Sequence, residues 1–337
     1  AALVKWAAFL RCSIARPCYR LKHLINVDQV PLCLDNQARR TFAAGADLAD
    51  GVVGRTIGGS GSNKRFCTLQ LAVCGDARVQ PPTISIIYRG AGKVQAAEAE
   101  DYRGGVAVFW QQKAWADREV VTQYTNSVLK DWAARTVPGE DWLLFQDSLG
   151  SQRCHKAVEA AHGIGATVVF GPAGKTQGWQ PIDAGHLGAI LKELVRQNQE
   201  CWLTRSPENR AVWANGSLSM RAKRVLLTHW VGDVWTRLTN EETYKKALRR
   251  VWESTGCNQA VPEAVFNVKV PGLGRKASAP QQTAFEDQAY INHACSRAAS
   301  FRFSDLAGGE KGFDTSSASS SSSSASEDSD AGCSSSS

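Results

Sequence analysis

The sequence lacks several patterns that would identify its chemistry directly. Its 10 cysteines include no CxxC pair and no Cys–His spacing of the kind that binds structural zinc. It contains no GxSxG motif and no other sign of a Ser–His–Asp triad. The residues GPAGKT at 171–176 resemble the end of a phosphate-binding loop, but Val169 stands where that motif requires glycine. We therefore expect no zinc site, no serine-hydrolase chemistry and no small-molecule cofactor.

The sequence also has little that indicates a membrane or an export route. Its longest apolar run without a charge, residues 163–174, is too short to cross a bilayer. The apolar start of the chain is broken by Lys5 and has no basic leader before it, unlike a signal peptide. We expect an intracellular protein with no membrane partner. Because the only methionine is Met220, we also expect that the true start of the protein is missing.

Charge is distributed unevenly along the chain. The formal net charge is +7, yet residues 304–337 contain six acidic residues, one lysine and no arginine. The remaining part is therefore more basic than the total indicates, which favours a polyanionic partner such as nucleic acid. Residues 316–337 form a serine tract with an acidic SEDSD insert. Such a composition cannot bury enough apolar surface to fold, so we predict a disordered tail.

Hydrophobic patterning predicts a mixed α/β domain. Short apolar runs indicate six strands, at residues 24–27, 66–74, 84–88, 106–110, 142–145 and 166–170. Apolar residues at helical spacing predict helices over residues 117–134, 183–202, 226–238 and 241–252. The last of these helices is expected to start at a capping box, Thr239–Glu242, and to stop at Gly256. The glycine-rich residues 45–63 predict a loop.

Three aspartates lie at the expected ends of these elements. Asp28 follows the first apolar run, Asp147 follows the fifth, and Asp183 opens a predicted helix. A mixed sheet can bring the first and fifth strands side by side, and three carboxylates there would repel one another unless cations lay between them. Hard divalent ions such as Mg²⁺ or Mn²⁺ prefer oxygen ligands of this kind. Each aspartate taken alone is more typical of a turn or a helix cap.

Several motifs of the sequence occur together in a characteristic order. They are INVDQ (25–29), KRFCTLQLAVCGD (64–76), PPTISIIYRG (81–90), WLLFQDS (142–148) and QPID (180–183). In this order and at these separations, they resemble the DDE/DDD transposase domain of the pogo and jerky-like families. Residues 226–257 are similar to the helical region that follows the core in those proteins. The resemblance covers roughly residues 22–258 and implies the RNase H-like fold of the wider mariner superfamily.

The resemblance implies specific roles for the three aspartates. Asp28, Asp147 and Asp183 would form the catalytic, metal-binding triad in an all-aspartate version. Between Asp147 and Asp183 lie 35 residues, the separation expected of the second and third acids in that group. The resemblance further implies Mg²⁺ or Mn²⁺ as cofactor, DNA as partner, a homodimer in the active form and a nuclear location. We do not find in this sequence the helix-turn-helix region that such proteins carry upstream.

Patterning and resemblance together predict a domain organisation. We expect an α/β, RNase H-like mixed β-sheet flanked by helices, with a helical C-terminal extension and a disordered tail. The expected parts are a truncated N-terminal remnant or linker (1–21), the catalytic core (22–205), the helical extension (206–260), and a linker with the serine-rich tail (261–337).

Four basic residues are candidates for DNA contacts, namely Lys175, Arg221, Lys223 and Arg224. As phosphate contacts they would supply sequence-independent affinity, but basic residues on helices are equally typical of a solvated face. In the loop before Asp183, Lys175, Gln177 and Gln180 could contact DNA or position the loop itself.

Two functions remain open at this point, since no feature of the sequence favours a third, a cellular RNase H-like nuclease without transposition. The chain is either a transposase-derived DNA endonuclease and strand transferase, or a domesticated, catalytically inactive nucleic-acid-binding protein. The three aspartates favour the enzyme. Gln29 and Gln152 favour the inactive protein, since they stand where the resembling families commonly have glutamate and histidine.

Overall fold

A computed structural model describes residues 2–33, 67–92, 96–172 and 174–262, together with residue 264. The loop predicted at residues 45–63 and the disordered tail predicted at residues 316–337 lie outside these residues. The strands are β1 (Leu24–Leu32), β2 (Cys67–Cys74), β3 (Ile84–Arg89), β4 (Val106–Gln111), β5 (Trp142–Gln146) and β6 (Ala166–Phe170). Each overlaps one of the six predicted apolar runs, because strands packed between helices need apolar residues on the faces that they bury.

The six strands form one mixed sheet in the order β4-β3-β2-β1-β5-β6. β2 pairs antiparallel with both β1 and β3, whereas β3–β4, β1–β5 and β5–β6 are parallel pairs. Helices cover both faces of the sheet. The predicted α/β class, a mixed sheet flanked by helices, is thus confirmed.

The first strand is longer than predicted. β1 continues beyond Asp28 to Leu32, and Asp28 lies opposite Leu71 within the antiparallel ladder to β2. The expectation that Asp28 ends this strand is wrong, because β2 supplies backbone partners for four further residues of β1. Asp28 is therefore held on both sides by backbone structure, rather than standing in a loop.

Twelve α-helices occur among the described residues. They are α1 (Ala2–Phe9), α2 (Ala96–Glu100), α3 (Arg118–Tyr124), α4 (Lys130–Thr136), α5 (Gly150–Arg153), α6 (His155–His162), α7 (Thr176–Trp179), α8 (Pro181–Ala184), α9 (Leu187–Arg205), α10 (Pro207–Ala214), α11 (Met220–Asn240) and α12 (Glu242–Thr255). In this part of the chain, no helix combines the length and the apolar character that a membrane crossing requires.

Local sequence signals explain where several helices begin and end. Asp117 caps α3, because its side chain accepts hydrogen bonds from the N–H groups of Glu119 and Val120. Gly256 ends α12 in the left-handed conformation, with φ of 76°. The predicted capping box before α12 is wrong, since α11 extends through Asn240 and no side chain caps α12.

Each face of the sheet is covered by a different set of helices. On one face, Tyr124 of α3, Trp132 of α4 and Ala161 of α6 pack against residues such as Ile25 and Val27 of β1. The opposite face, which carries Leu24, Val30 and Leu32 of β1, is covered by α1, α8, α9, α11 and α12. Alternate residues of β1 therefore serve two separate apolar layers.

The N-terminal helix belongs to the second of these layers. Trp6 of α1 is buried, and its ring lies 5.5 Å from the ring of Trp179, centroid to centroid. Residues of the predicted N-terminal remnant thus contribute to the core that covers the sheet. The predicted domain boundaries remain predictions.

A buried ion pair connects the helical extension to the sheet. The guanidinium of Arg224 in α11 donates two hydrogen bonds to the carboxylate of Glu98 in α2, at 2.6 and 2.9 Å. The side chains of Glu98 and Arg224 are only 6% and 19% exposed. Arg224 also lies over the ring of Trp110 in β4, at 5.2 Å from its centroid. The Tyr88 hydroxyl of β3 donates to the carbonyl of Arg224 at 2.8 Å.

We expect Glu98→Gln to destabilise the protein, because the guanidinium of Arg224 would remain largely buried without a counter-charge. A loss of roughly 2 kcal/mol in the free energy of unfolding is expected. Urea unfolding measures this loss. Glu193→Gln is the matched control, since Glu193 pairs with Arg196 on the exposed surface of α9 and should unfold like wild type. Equal unfolding curves for Glu98→Gln and the control would contradict the prediction.

Candidate metal centre

Three elements bring the predicted aspartates towards one region of the sheet. Asn26 of β1 lies opposite Phe145 of β5 in their parallel ladder. Asp28 follows two residues after Asn26, and Asp147 follows two residues after Phe145. Because side chains alternate along a strand, Asp28 projects from the same face of the sheet as Asn26. α8, which carries Asp183, packs on that face, since the N–H of Ile182 donates to the Asn26 side chain.

Asp28 and Asp183 lie side by side. Their carboxyl groups are within hydrogen-bonding range, and both residues are partly buried. Burial and the negative charge of Asp183 raise the pKa of Asp28 to about 7, against the smaller opposing effect of hydrogen bonds from Gln29 and Gln180. Two carboxylates this close share either a proton or a cation.

Asp147 is turned towards its own chain. Its Oδ1 accepts a hydrogen bond from the N–H of Ser148 at 2.7 Å. Within the part of the chain that the structure describes, no three Asp, Glu, His or Cys side chains are grouped closely enough to hold one metal ion. The structure thus brings two of the three predicted ligands together, and the metal-binding role of all three aspartates stays a prediction.

A buried glutamine next to these carboxylates indicates a place for a ligand. Gln180 is fully buried, its Nε2 donates to the carbonyl of Val27 at 3.4 Å, and its side chain lies close enough to Asp28 to lower the pKa of that carboxyl. Its Oε1 finds no hydrogen-bond partner among the described residues. A buried oxygen without a partner carries a free-energy cost. Two carboxylates with a neutral oxygen nearby are the donor set that Mg²⁺ and Mn²⁺ prefer, so these residues fit such an ion.

The burial of Gln180 also decides between its two predicted roles. A side chain without solvent exposure cannot reach DNA from this position, so Gln180 positions the segment before Asp183. Gln177, in contrast, is exposed and Lys175 is exposed in the loop between β6 and α7.

The corner formed by α7 and α8 is fixed by Trp179. The ring of Trp179 is fully buried, and its Nε1 donates to the carbonyl of Pro172 at 3.2 Å. The Cys257 thiol donates to the carbonyl of Trp179 at 3.0 Å. Gly171 lies against the same ring, so closely that an added Cβ would be 2.1 Å from a ring carbon. The loop from β6 to Asp183 can therefore follow this path only with glycine at position 171.

Sequence reasoning missed Asn26. This residue is fully buried on β1, where its Nδ2 donates to the carbonyl of Phe145 at 3.1 Å and its Oδ1 accepts from Ile182. Asparagine is unfavourable within strands, and here it lies on an otherwise apolar face two residues before an aspartate. That contrast is the signal that could have identified it.

The predicted DNA contacts on α11 lie in a different region. Arg224 is engaged by Glu98, Arg221 donates to the carboxylate of Asp101 at 2.7 Å, and Lys223 lies over the ring of Trp213 at 5.2 Å. These contacts connect α11 to α2 and to α10. Contact with DNA stays a prediction for all four basic residues.

Comparison with known proteins gives two matches. A profile described as "DDE superfamily endonuclease" matches residues 64–247, more than half of the chain. No curated protein sequence matches the chain. A solved structure titled "Mos1 transposase paired-end complex with left transposon end" is similar at 10% sequence identity, with a TM-score of 0.37. The similarity covers 70% of this chain and 60% of that chain, so this chain spans less than two thirds of that transposase's length.

We expect Asp28→Asn to stabilise the metal-free protein above pH 7. In the unfolded chain Asp28 has a pKa near 4, and in the folded protein its pKa is about 7. The contribution of Asp28 to the free energy of unfolding is therefore fully present below about pH 4, and it is lost as the pH rises through about 7. The loss amounts to at most about 4 kcal/mol. Urea unfolding of both proteins in EDTA, at pH 4.5 and pH 8, measures the difference. Parallel pH dependences of wild type and variant would contradict the proposed repulsion.

We expect Gly171→Ala to displace the Trp179 ring and with it the corner that carries Asp183. The variant should unfold at a lower temperature and should show a smaller rise of the melting temperature on addition of Mn²⁺. Gly150→Ala is the matched control, because no atom lies within 4 Å of the added Cβ. A Gly171→Ala protein with wild-type melting and a wild-type Mn²⁺ response would contradict the role given to this close contact.

Proposed function

Because the chain belongs to the DDE superfamily endonuclease family, we propose that it is a transposase-derived DNA endonuclease and strand transferase whose site contains Asp28, Asp147 and Asp183. The observation that carries this proposal is the contact of two partly buried carboxylates, Asp28 and Asp183, beside the unpartnered oxygen of Gln180. Two adjacent carboxylates oppose a second negative charge, and a cation between them would relieve that repulsion. Apolar packing of the sheet alone does not require two neighbouring carboxylates.

Asp28 and Asp183 would hold Mg²⁺ or Mn²⁺, with Asp147 joining them from the end of β5. When bound, such ions activate the attacking water or hydroxyl group and stabilise the leaving oxygen of a phosphodiester. The ladder between β1 and β2 would hold the backbone at Asp28, and the amide of Gln180 lies beside its carboxylate. The Trp179 corner limits the movement of Asp183, so that the two carboxylates meet an incoming ion already arranged.

DNA is the proposed partner, and Lys175 is the best-placed of the four predicted contacts. It is exposed and lies in the loop between β6 and the α7–α8 corner, on the chain segment that leads to Asp183. The guanidinium of Arg224 is already held by Glu98, so it is less available to a phosphate than Lys175. Membership of the pogo and jerky-like branch, a homodimer in the active form and a nuclear location belong to the same proposal.

A second function follows from the separation of Asp147 from the other two aspartates. In the described part of the chain no three acidic, histidine or cysteine side chains converge on one point. A chain that kept the fold and lost the convergence would bind nucleic acid without cutting it. This is the catalytically inactive alternative.

We expect the purified chain to nick supercoiled plasmid DNA in the presence of Mg²⁺ or Mn²⁺ and not in EDTA. Asp28→Asn, Asp147→Asn and Asp183→Asn should each lower the nicking rate by roughly 1000-fold, about 4 kcal/mol of transition-state stabilisation. Asp131→Asn is the control, since the Asp131 side chain is 72% exposed on α4.

The outcomes separate the two functions. Wild-type protein that binds plasmid but fails to nick it with either ion would support the inactive alternative. Nicking that is unchanged in the three variants would assign the activity to another site or to a contaminant.

A further inference from the structure

We infer that Asn26 is a positioning residue that fixes all three aspartate-bearing elements relative to one another. Its catalytic importance rests on the proposed function. Asn26 is not expected to touch the reacting atoms itself. It acts through the backbone of the segments that carry Asp28, Asp147 and Asp183.

The contacts of Asn26 reach each of these segments. Its Nδ2 donates to the carbonyl of Phe145 in β5 at 3.1 Å, two residues before Asp147. Its Oδ1 accepts from the N–H of Ile182 in α8 at 3.0 Å, one residue before Asp183. Asn26 itself lies in β1 two residues before Asp28. A single side chain therefore sets the spacing of β1, β5 and α8. Each of its attachment points lies within two residues of one of the three aspartates.

Only a side chain with a donor and an acceptor of the right size satisfies both neighbours. The N–H of Ile182 belongs to the first turn of α8, where helical N–H groups have no partner within the helix. The site is fully buried, so a missing partner at either end leaves a polar group in an apolar layer, which is costly. An aspartate could accept from Ile182 but could not donate to Phe145, and a leucine of similar size could do neither.

Gln180 provides a second connection, but it joins fewer of the three elements. Its Nε2 ties the α7–α8 corner to the carbonyl of Val27 in β1. Gln180 thus connects two of the three elements, whereas Asn26 connects all three. Loss of Asn26 should therefore disturb the relative placement of the aspartates more than it disturbs the attachment of α8.

The test uses the full chain with Asn26→Leu and Asn26→Asp. Thr68→Val is the matched control, because the Thr68 hydroxyl is also buried in the sheet and donates to the carbonyl of Ala114 at 2.6 Å. Two readouts are measured: the rise of the melting temperature on addition of Mn²⁺, and kcat and KM for plasmid nicking.

We expect Asn26→Leu and Thr68→Val both to melt at lower temperature without metal. Only Asn26→Leu should lose most of the Mn²⁺-induced rise, and its kcat should fall roughly 100-fold with an unchanged KM for DNA, since misplacement of about 1 Å costs on that order. Asn26→Asp keeps the size and the acceptor for Ile182. Should Asn26→Leu not fold, Asn26→Asp is expected to show the same split between kcat and KM.

A merely structural role of Asn26 would give a different result. Asn26→Leu would then behave like Thr68→Val, with a lower melting temperature but a wild-type Mn²⁺ response and a wild-type kcat, and the inference would be overturned. Failure of the proposed function is recognised separately, in wild-type protein that neither nicks DNA nor gains stability from Mn²⁺. If wild-type protein binds Mn²⁺ but does not nick DNA, the role of Asn26 is decided by the melting temperatures alone. Loss of the Mn²⁺-induced rise in Asn26→Leu, but not in Thr68→Val, then supports the inference.

Discussion

The hydrogen bonding of polar side chains inside one apolar layer is the constraint on which this structure depends. The layer between the sheet and α8 contains Asn26 and Asp28 of β1 and Gln180, which directly precedes α8, among tryptophans and aliphatic residues. A buried polar group without a partner carries a free-energy cost. Asn26 finds two, in β5 and in α8, and the Nε2 of Gln180 finds one in β1, whereas its Oε1 finds none among the described residues. The α7–α8 corner can therefore occupy one position on the sheet, and the large side chains of α1, α9 and α12 pack around it.

The same constraint explains why the backbone is held firmly at a place where two carboxylates repel each other. The amides hold β1 and α8 together at a place where Asp28 and Asp183 oppose each other electrostatically. A core selected only for stability would replace these carboxylates by apolar or neutral groups. Functional sites commonly contain groups that lower the stability of the fold, and this pair of carboxylates fits that pattern.

The sequence allowed the sheet to be predicted, and the reason is local. Each strand is a short apolar run, and a run of this kind predicts a buried strand wherever its partners lie. The errors arose where partners distant in sequence decide the outcome. β1 passes through Asp28 because residues 67–71 pair with it, and Asn26 matters because Phe145 and Ile182 lie 119 and 156 residues away. No periodicity within a short window contains such information.

One contact of the Trp179 corner has a consequence for how the protein is made. The ring of Trp179 is packed by Trp6 near one end of the described chain, and its carbonyl accepts from Cys257 near the other. Contacts between residues so far apart in sequence form late, because a long loop must close first. During synthesis the sheet can assemble as soon as β6 has left the ribosome, whereas the corner beside Asp183 is complete only once Cys257 has followed. A nascent chain would therefore have its six strands before it has the completed corner that carries Asp183.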